Sequence, residues 1–302
     1  MVGPTASGKS ALALFLAERL GGEMVNCDSL QVYRGLDVGT AKQIPQTVPG
    51  HLFDIVEATE LFTAGEYARR ARQALEEIRA RGRLPVLVGG AGFYLRALLE
   101  GLFSGPQRNE ALRERLEKRP AARLHRLLGR WDPVSAKRIH PHDKPKLIRA
   151  LEICVQARRP MSELWAEGRR GLEGWRALKL GLNPPRAALY KRINARAAGM
   201  FHGGLLPEVK GLLDRGVPET AQPFESHGYA EALRVLRGEI SLDEAIEITQ
   251  RKVRHYAKRQ MTWFRRERDL HWLEGFGDDA AVQQRAMEIY RRVAEGAEEG
   301  GN

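Results

Sequence analysis

Met1-Val2-Gly3-Pro4-Thr5-Ala6-Ser7-Gly8-Lys9-Ser10 carries the pattern G-x-x-x-x-G-K-S from Gly3 to Ser10. The two glycines let the backbone curl so that the amides of Gly3, Pro4, Thr5, Ala6, Ser7 and Gly8 form a cradle wherever they carry an N–H. Lys9 reaches the outer phosphates, and the Ser10 hydroxyl suits a magnesium ion. The residues that follow, Ala11 to Leu20, form helix readily, and Gly21-Gly22 stops it. The helix start adds its positive dipole end to the cradle. The stretch therefore predicts a site for a diphosphate or triphosphate. Such a loop should follow a buried strand, yet only Met1 and Val2 precede Gly3. That strand is expected to be curtailed or to lie upstream.

Outward from the loop, Glu23 to Cys27, Leu84 to Val88 and Leu178 to Leu182 are short apolar runs of the kind buried in parallel sheets. The first delivers Asp28-Ser29-Leu30-Gln31 and the second Gly89-Gly90-Ala91-Gly92. Ligands in open α/β sheets bind beyond the carboxyl ends of the strands, so both turns should face the phosphate loop. Ala64 to Gly82 reads as a helix with Tyr67, Ala71, Ala74, Leu75 and Ile78 inward. Between Gly105 and Gly174 the composition shifts to charge-rich helical segments, including Asn109 to Lys118 and Ala121 to Arg130. Strand-like residues resume at Trp175, followed by a helix from Arg186 to Ala198. The reading is an α/β fold, a P-loop NTPase-like parallel sheet flanked by helices, with a helical insertion domain. Its divisions are 1–104, first part of the core, 105–174, the insertion, and 175–302, second part of the core. The Glu/Gly-rich tail after Ala294 is expected to be disordered.

At 302 residues the chain has ample core without staples. Cys27 and Cys154 lack C-x-x-C spacing and read as packing residues in a reducing cytoplasm. No apolar run approaches the length of a membrane span, and a phosphate loop at residue 3 leaves no room for a signal peptide, so a cytoplasmic protein is expected. His140 and His142 lie near Asp143 without metal-site spacing, and Trp131, Trp165 and Trp175 read as packing anchors. The net charge of +11 suits a polyanionic partner, nucleic acid above all, although charge alone fits a solvated surface equally well.

The distribution of charge decides. Arg251 to Arg268 holds eight basic residues and one acid, with Val253, Ala257, Met261 and Phe264 on one helical stripe. Arg251, Arg254, Lys258, Arg259 and Arg265 occupy the remaining circumference, where they can meet phosphates. At the other end of the chemistry, Asp28 follows a strand end inside the phosphate pocket, as a general base or magnesium ligand. Ser29 and Gln31 add a hydroxyl and an amide, the latter suited to paired bonds with an adenine edge.

In sequence order, Gly3-Pro4-Thr5-Ala6-Ser7-Gly8-Lys9, Asp28-Ser29-Leu30-Gln31-Val32-Tyr33, Asp37-Val38-Gly39-Thr40-Ala41-Lys42, Val88-Gly89-Gly90, Arg149-Ala150-Leu151-Glu152, Leu189-Tyr190-Lys191-Arg192-Ile193-Asn194 and Tyr256-Ala257-Lys258-Arg259-Gln260-Met261-Thr262-Trp263-Phe264 span almost the whole chain. Together they resemble the signature of the tRNA dimethylallyltransferases, the tRNA isopentenyltransferases of the IPP transferase family. The resemblance implies transfer of a dimethylallyl group from dimethylallyl diphosphate to N6 of the adenosine 3′ of a tRNA anticodon. It makes Asp28 the general base and the phosphate loop the holder of the diphosphate leaving group, with Lys9, Arg254 and a Mg2+ ion on Ser10 neutralising its charge. It places Ser29, Leu30, Gln31, Thr40, Lys42, Arg251, Lys258, Arg259 and Gln260 against the tRNA or its extruded adenine, and the insertion around the anticodon stem. A monomer is expected.

The chain departs from the family pattern at Ala91, where threonine is usual, at His227, where the residue is usually aliphatic, and at Lys144-Pro145-Lys146 in place of an arginine-containing segment. A metabolite kinase would share the loop and sheet but gives no reason for the basic helix. An adenylate isopentenyltransferase would use the same donor with a free nucleotide, which the charge and the insertion oppose. A non-enzymatic RNA-binding module is distinguished from all of these by a donor-binding assay.

Overall fold

The protein is described by a computed structural model covering residues 1–103 and 105–298. It divides into two compact units: Met1–Leu98 with the segment from Gly174 onward, and Leu99–Glu173. The second begins ahead of the composition change at Gly105.

In the first unit, β1 (Gly22–Asn26) is flanked by β2 (Gly50–His51) and β3 (Leu84–Val88), all parallel. A separate parallel pair joins β4 (Lys179–Asn183) to β5 (Leu270–Glu274), with Leu182 opposite Leu273. Met1 and Val2 connect the two groups. Met1 N donates to Leu87 O at 2.7 Å and Gly89 N to Met1 O at 3.2 Å; Val2 N donates to Leu180 O at 2.9 Å and Leu182 N to Val2 O at 3.0 Å. Met1 and Val2 thus run between β3 and β4, and the chain passes from them directly into the phosphate loop.

Helix α1 (Lys9–Leu20) lies over this junction. Leu12 and Leu16 pack with Leu180, Leu182, Leu273 and Val282, while Ala13 and Ala17 meet Met24 and Val88. Small residues on one side and leucines on the other let one helix cover strands at different depths. Helix α2 (Ala64–Ala80) buries the stripe of Tyr67, Ala71, Ala74, Leu75 and Ile78. Glu23 is buried in β1 but accepts two bonds from Arg81, at 3.1 and 2.7 Å, and one from His51, which together hold its carboxyl below the usual range.

Helix α3 (Gly92–Leu99) leads out of this unit. The second unit is all helical among the described residues: α4 (Glu110–Glu117), α5 (Ala121–Trp131), α6 (Pro133–Arg138), α7 (Lys144–Ala157) and α8 (Met161–Ala166) close around Leu112, Leu124, Leu128, Leu147 and Leu151. Buried Asp132 caps α6 and reaches α8, accepting from Ser135 N and Oγ and from Ser162 N and Oγ. His140 and His142 sit with their ring centres 5.3 Å apart, and no group of three or more metal-ligating side chains occurs among the described residues. The guanidinium groups of Arg138 and Arg169 lie 5.4 and 5.5 Å from the centre of the Trp165 ring. Trp131, expected to be a packing anchor, is 47% exposed at the C-terminal end of α5.

The first unit continues with α9 (Arg186–Met200), a π-helical turn at Phe201–Leu205, α10 (Leu206–Asp214), α11 (Tyr229–Leu236), α12 (Leu242–Phe264) and α13 (Ala280–Glu298). Strand β5 escapes a search for apolar runs because it is a half-exposed edge: Leu273 is buried while His271 and Glu274 face outward. The tail after Ala294 is not disordered as expected. The helical residues Ala294 and Ala297 belong to α13, which continues to Glu298; residues 299–302 lie outside the described residues. Among the described residues, no helix is long and apolar enough to cross a membrane.

Candidate active site

The carboxyl ends of Met1-Val2, β1 and β3 open onto one cavity of about 860 Å³, walled also by α9, the stretch from Gln222 to His227, α12 and the turn after β5. All of its lining residues belong to the first unit.

The phosphate loop forms its floor. Gly8 adopts φ 83° and no side chain caps α1, so the first N–H groups of the helix are left for a ligand. The N–H groups of Gly8 and Lys9 have no acceptor among the described residues. Ser7 is fully buried with its Oγ unpartnered. Lys9 Nζ donates to Pro4 O at 2.8 Å, which leaves further ammonium hydrogens for phosphate, and burial pushes its pKa down to about 8. The turn after β5 holds the loop from outside: Gly277 N donates to Ser7 O at 2.9 Å. A Cβ on Gly8 would stand 2.7 Å from Asp278 Oδ1 and 2.8 Å from Gly277 N, so only glycine fits there.

Asp28 stands on the cavity wall one residue past the end of the apolar run. Its N–H donates to Asn26 Oδ1 at 3.0 Å, and its Oδ1 accepts from Leu30 N at 2.9 Å. This Asx-type turn fixes the carboxylate while Oδ2 has no partner among the described residues. The field of Asp28 acts on two cations, Lys9 and Arg196, and burial pulls the Arg196 guanidinium below its ordinary value. Gln31 lines the same wall and gives Nε2 to Thr40 O at 3.3 Å, leaving its carbonyl oxygen uncommitted among the described residues. Ser29, Leu30 and Thr40 line it as well.

Other expected site residues turn out to work from behind the wall. Gln260 is buried in α12: its Oε1 accepts from Thr5 N at 2.8 Å and its Nε2 donates to Gly90 O at 3.0 Å, clipping the phosphate loop to the turn after β3. Both ends of this amide are engaged inside the protein. Lys42, likewise expected at the tRNA, has 2% of its side chain exposed and donates to Tyr33 O, Asp37 Oδ1 and Asp54 Oδ1. Arg254, expected at the diphosphate, is outside the cavity wall and gives Nη1 to Asn194 Oδ1 at 2.6 Å. The arginines that do line the wall are Arg192, Arg196 and Arg259. Arg251 and Lys258 are exposed on α12, as is Arg265 just beyond it.

Arg196 and Arg192 were not singled out from the sequence. The available signal was helical spacing: Leu189, Ile193 and Ala197 form the buried stripe of α9, which sets the preceding residues 192 and 196 one turn apart on its flank. Arg192 Nη1 donates to both oxygens of Asp278, at 2.7 and 2.9 Å, with its guanidinium 3.6 Å from the centre of the Phe276 ring. At the opposite rim His227 receives Arg259 Nη2 at 3.4 Å and meets the Tyr256 ring edge-on; burial lowers its pKa and raises that of Tyr256. Ala91 is not part of the cavity wall. It precedes α3, with its carbonyl accepting the helix's first bond from Leu95 N at 3.0 Å, the place of an N-cap.

For magnesium, the protein supplies one hydroxyl, Ser10, exposed at the second position of α1, with Asp278 nearby on the same wall. Such a sparse donor set fits an ion whose remaining ligands are phosphate oxygens and water.

A family model described as IPP transferase matches residues 31–267. The tRNA dimethylallyltransferase of Solibacter usitatus is 56% identical, with 95% of this chain and 96% of that protein covered. The solved full-length tRNA isopentenylpyrophosphate transferase of Bacillus halodurans superposes with a TM-score of 0.71 at 38% identity, covering 99% of this chain and 95% of that one. A eukaryotic dimethylallyltransferase solved acting on tRNA gives a TM-score of 0.83 at 26% identity, covering 98% of this chain and 78% of that one. With the phosphate loop, the aspartate turn and the basic helix gathered around one cavity, and with these matches running along nearly its full length, this chain belongs to the IPP transferase family.

Proposed function

We propose that this protein transfers a dimethylallyl group from dimethylallyl diphosphate to N6 of the adenosine 3′ of the anticodon in tRNA, giving N6-dimethylallyladenosine and diphosphate. The observation that carries the reading is the cavity itself, where a phosphate cradle with Lys9 and Arg196 faces a fixed carboxylate with one free oxygen. Its supports are the relatives named tRNA dimethylallyltransferase and the basic surface of α12.

The exocyclic amine of adenine is a poor nucleophile because its lone pair is delocalised into the ring. Asp28 Oδ2 accepts the N6 proton as the N6–C1 bond forms, which restores the lone pair to the reacting nitrogen. The C1–O bond of the donor breaks at the same carbon, and its electron pair leaves with the diphosphate. Lys9, Arg196 and the amides of Gly8 and Lys9 face that developing charge. A divalent ion on Ser10, when bound, neutralises phosphate charge further. The adenine reaches the cavity only if it is unstacked from the anticodon loop, at a cost of a few kcal/mol offset by contacts to the RNA backbone. Arg251, Lys258, Arg259 and Arg265 supply cations for those contacts on this unit.

The test is donor transfer to unmodified tRNA with magnesium, read by nucleoside mass spectrometry, with adenosine monophosphate as the competing acceptor. Product in the tRNA alone supports the reading. Prenylation of the free nucleotide alone makes the protein an adenylate isopentenyltransferase and contradicts it.

A further inference from the structure

Glu208 lies on α10, away from the phosphate loop and outside the cavity wall. Its carboxylate takes four hydrogen bonds. Oε2 accepts from Asp37 N at 2.7 Å and Val38 N at 2.6 Å; Oε1 accepts from Gly39 N at 3.1 Å and from the Tyr229 hydroxyl at 2.6 Å. Three successive amides converging on one carboxylate form an anion nest filled from within the protein. The neighbouring atoms reinforce it. A Cβ on Gly39 would lie 2.5 Å from the Tyr229 ring, so the turn is pressed against α11, and Thr40 Oγ1 donates to Leu36 O at 2.6 Å.

What the nest holds is the next peptide. Thr40 O accepts from Arg196 Nη2 at 2.8 Å and from Gln31 Nε2 at 3.3 Å, so one carbonyl orients both the cavity's buried arginine and its amide. Arg196 has no other bond among the described residues, and its Nε is buried without a partner. Its direction therefore depends on where the 37–40 turn is held. The sequence also spends a special residue to bring the carboxylate there: Gly204, at φ 114°, breaks the helical run just before α10.

We infer that Glu208 is a positioning residue for the reaction: by gripping the amides of residues 37–39 it sets the Thr40 carbonyl that aims Arg196 at the diphosphate. The inference rests on the reading of the cavity as a diphosphate site, and not on which acceptor is prenylated.

The test is calorimetric binding of inorganic pyrophosphate with magnesium to the full chain, alongside the single-turnover rate on tRNA, for Glu208→Ala, Glu208→Gln, Arg196→Lys and the combination of Glu208→Ala with Arg196→Lys. Glu208→Ala should weaken pyrophosphate binding and slow turnover by about tenfold to a hundredfold, Glu208→Gln less. The combined variant should be no worse than Arg196→Lys alone, because the second change removes what the first one aims. If Glu208→Ala does not fold, Glu208→Gln with Arg196→Lys makes the same comparison. Losses that multiply in the combined variant, or wild-type pyrophosphate affinity in the Glu208 variants, overturn the inference. A wild-type protein that binds pyrophosphate but prenylates no tRNA overturns the proposed function and leaves the binding comparison intact.

Discussion

At the residue scale, the cavity runs on charges held in unusual settings. Lys9 is the plainest case, since burial lowers its pKa to about 8. Only its protonated form attracts diphosphate, so the sign is fixed: kcat/KM for the donor should fall as pH rises through about 8, following the free enzyme. A rate profile flat to pH 10 would contradict the assignment. Ala91 offers a second test. Its carbonyl opens α3 but its methyl cannot cap it, so Ala91→Thr should add about 1 kcal/mol of stability, seen as a raised melting midpoint. The same hydroxyl is expected to raise the single-turnover rate; an unchanged rate with a raised midpoint would show that the family threonine serves the helix and not the chemistry. Asp28 could be picked out from the sequence because a carboxylate at a strand's end faces a ligand site by topology. Arg196 was harder to pick out, because the apolar stripe of α9 sets Arg192 and Arg196 on its flank without saying that this flank faces the cavity.

At the scale of elements, α12 does two jobs on two faces. Its outer face carries Arg251 and Lys258, as the apolar stripe implies, and its inner face clips the phosphate loop through Gln260. The family resemblance placed Gln260 on the RNA side, among the basic residues of the same helix. The structure turns it inward: a Cβ on Gly90 would lie 2.1 Å from its Nε2, so the turn after β3 is closed directly onto the amide. Gln260→Ala would leave Thr5 N and Gly90 O without their partner, at a cost of about 1–3 kcal/mol, and would loosen the cradle. Denaturant unfolding should show the loss together with weaker pyrophosphate binding. A stability loss with unaltered binding would sink the clip as a functional element. Strands β1, β3 and β4 were legible as apolar runs, whereas β5 was not, because in this edge strand next to a charged segment only Leu273 is buried. With β5 goes the turn that carries Phe276, Gly277 and Asp278 to the phosphate loop, so the place of Asp278 in the cavity wall was invisible too.

For the whole molecule, the excess of Lys and Arg over Asp and Glu, +11 in net charge, predicts binding to tRNA that weakens steeply with salt. Removing exposed Arg251 and Lys258 together should lower the slope of log K against log salt by about 2, with little change in melting midpoint. An unaltered slope would move the RNA surface elsewhere on the protein. The α/β class and the helical insertion were readable at this scale because composition and period change over tens of residues. The few hydrogen bonds that aim single side chains, such as those from the 37–40 turn, are set by contacts between distant segments and leave no such trace.

The most direct measurement is single-turnover prenylation of unmodified tRNA by the wild type and by Asp28→Asn, with dimethylallyl diphosphate and magnesium, quantified as N6-dimethylallyladenosine by mass spectrometry. The account predicts product from the wild type and a rate about 10²–10⁴-fold lower for Asp28→Asn at unchanged tRNA and pyrophosphate affinity. Equal rates for the two proteins, or a folded wild type that binds both ligands and forms no product, would contradict it.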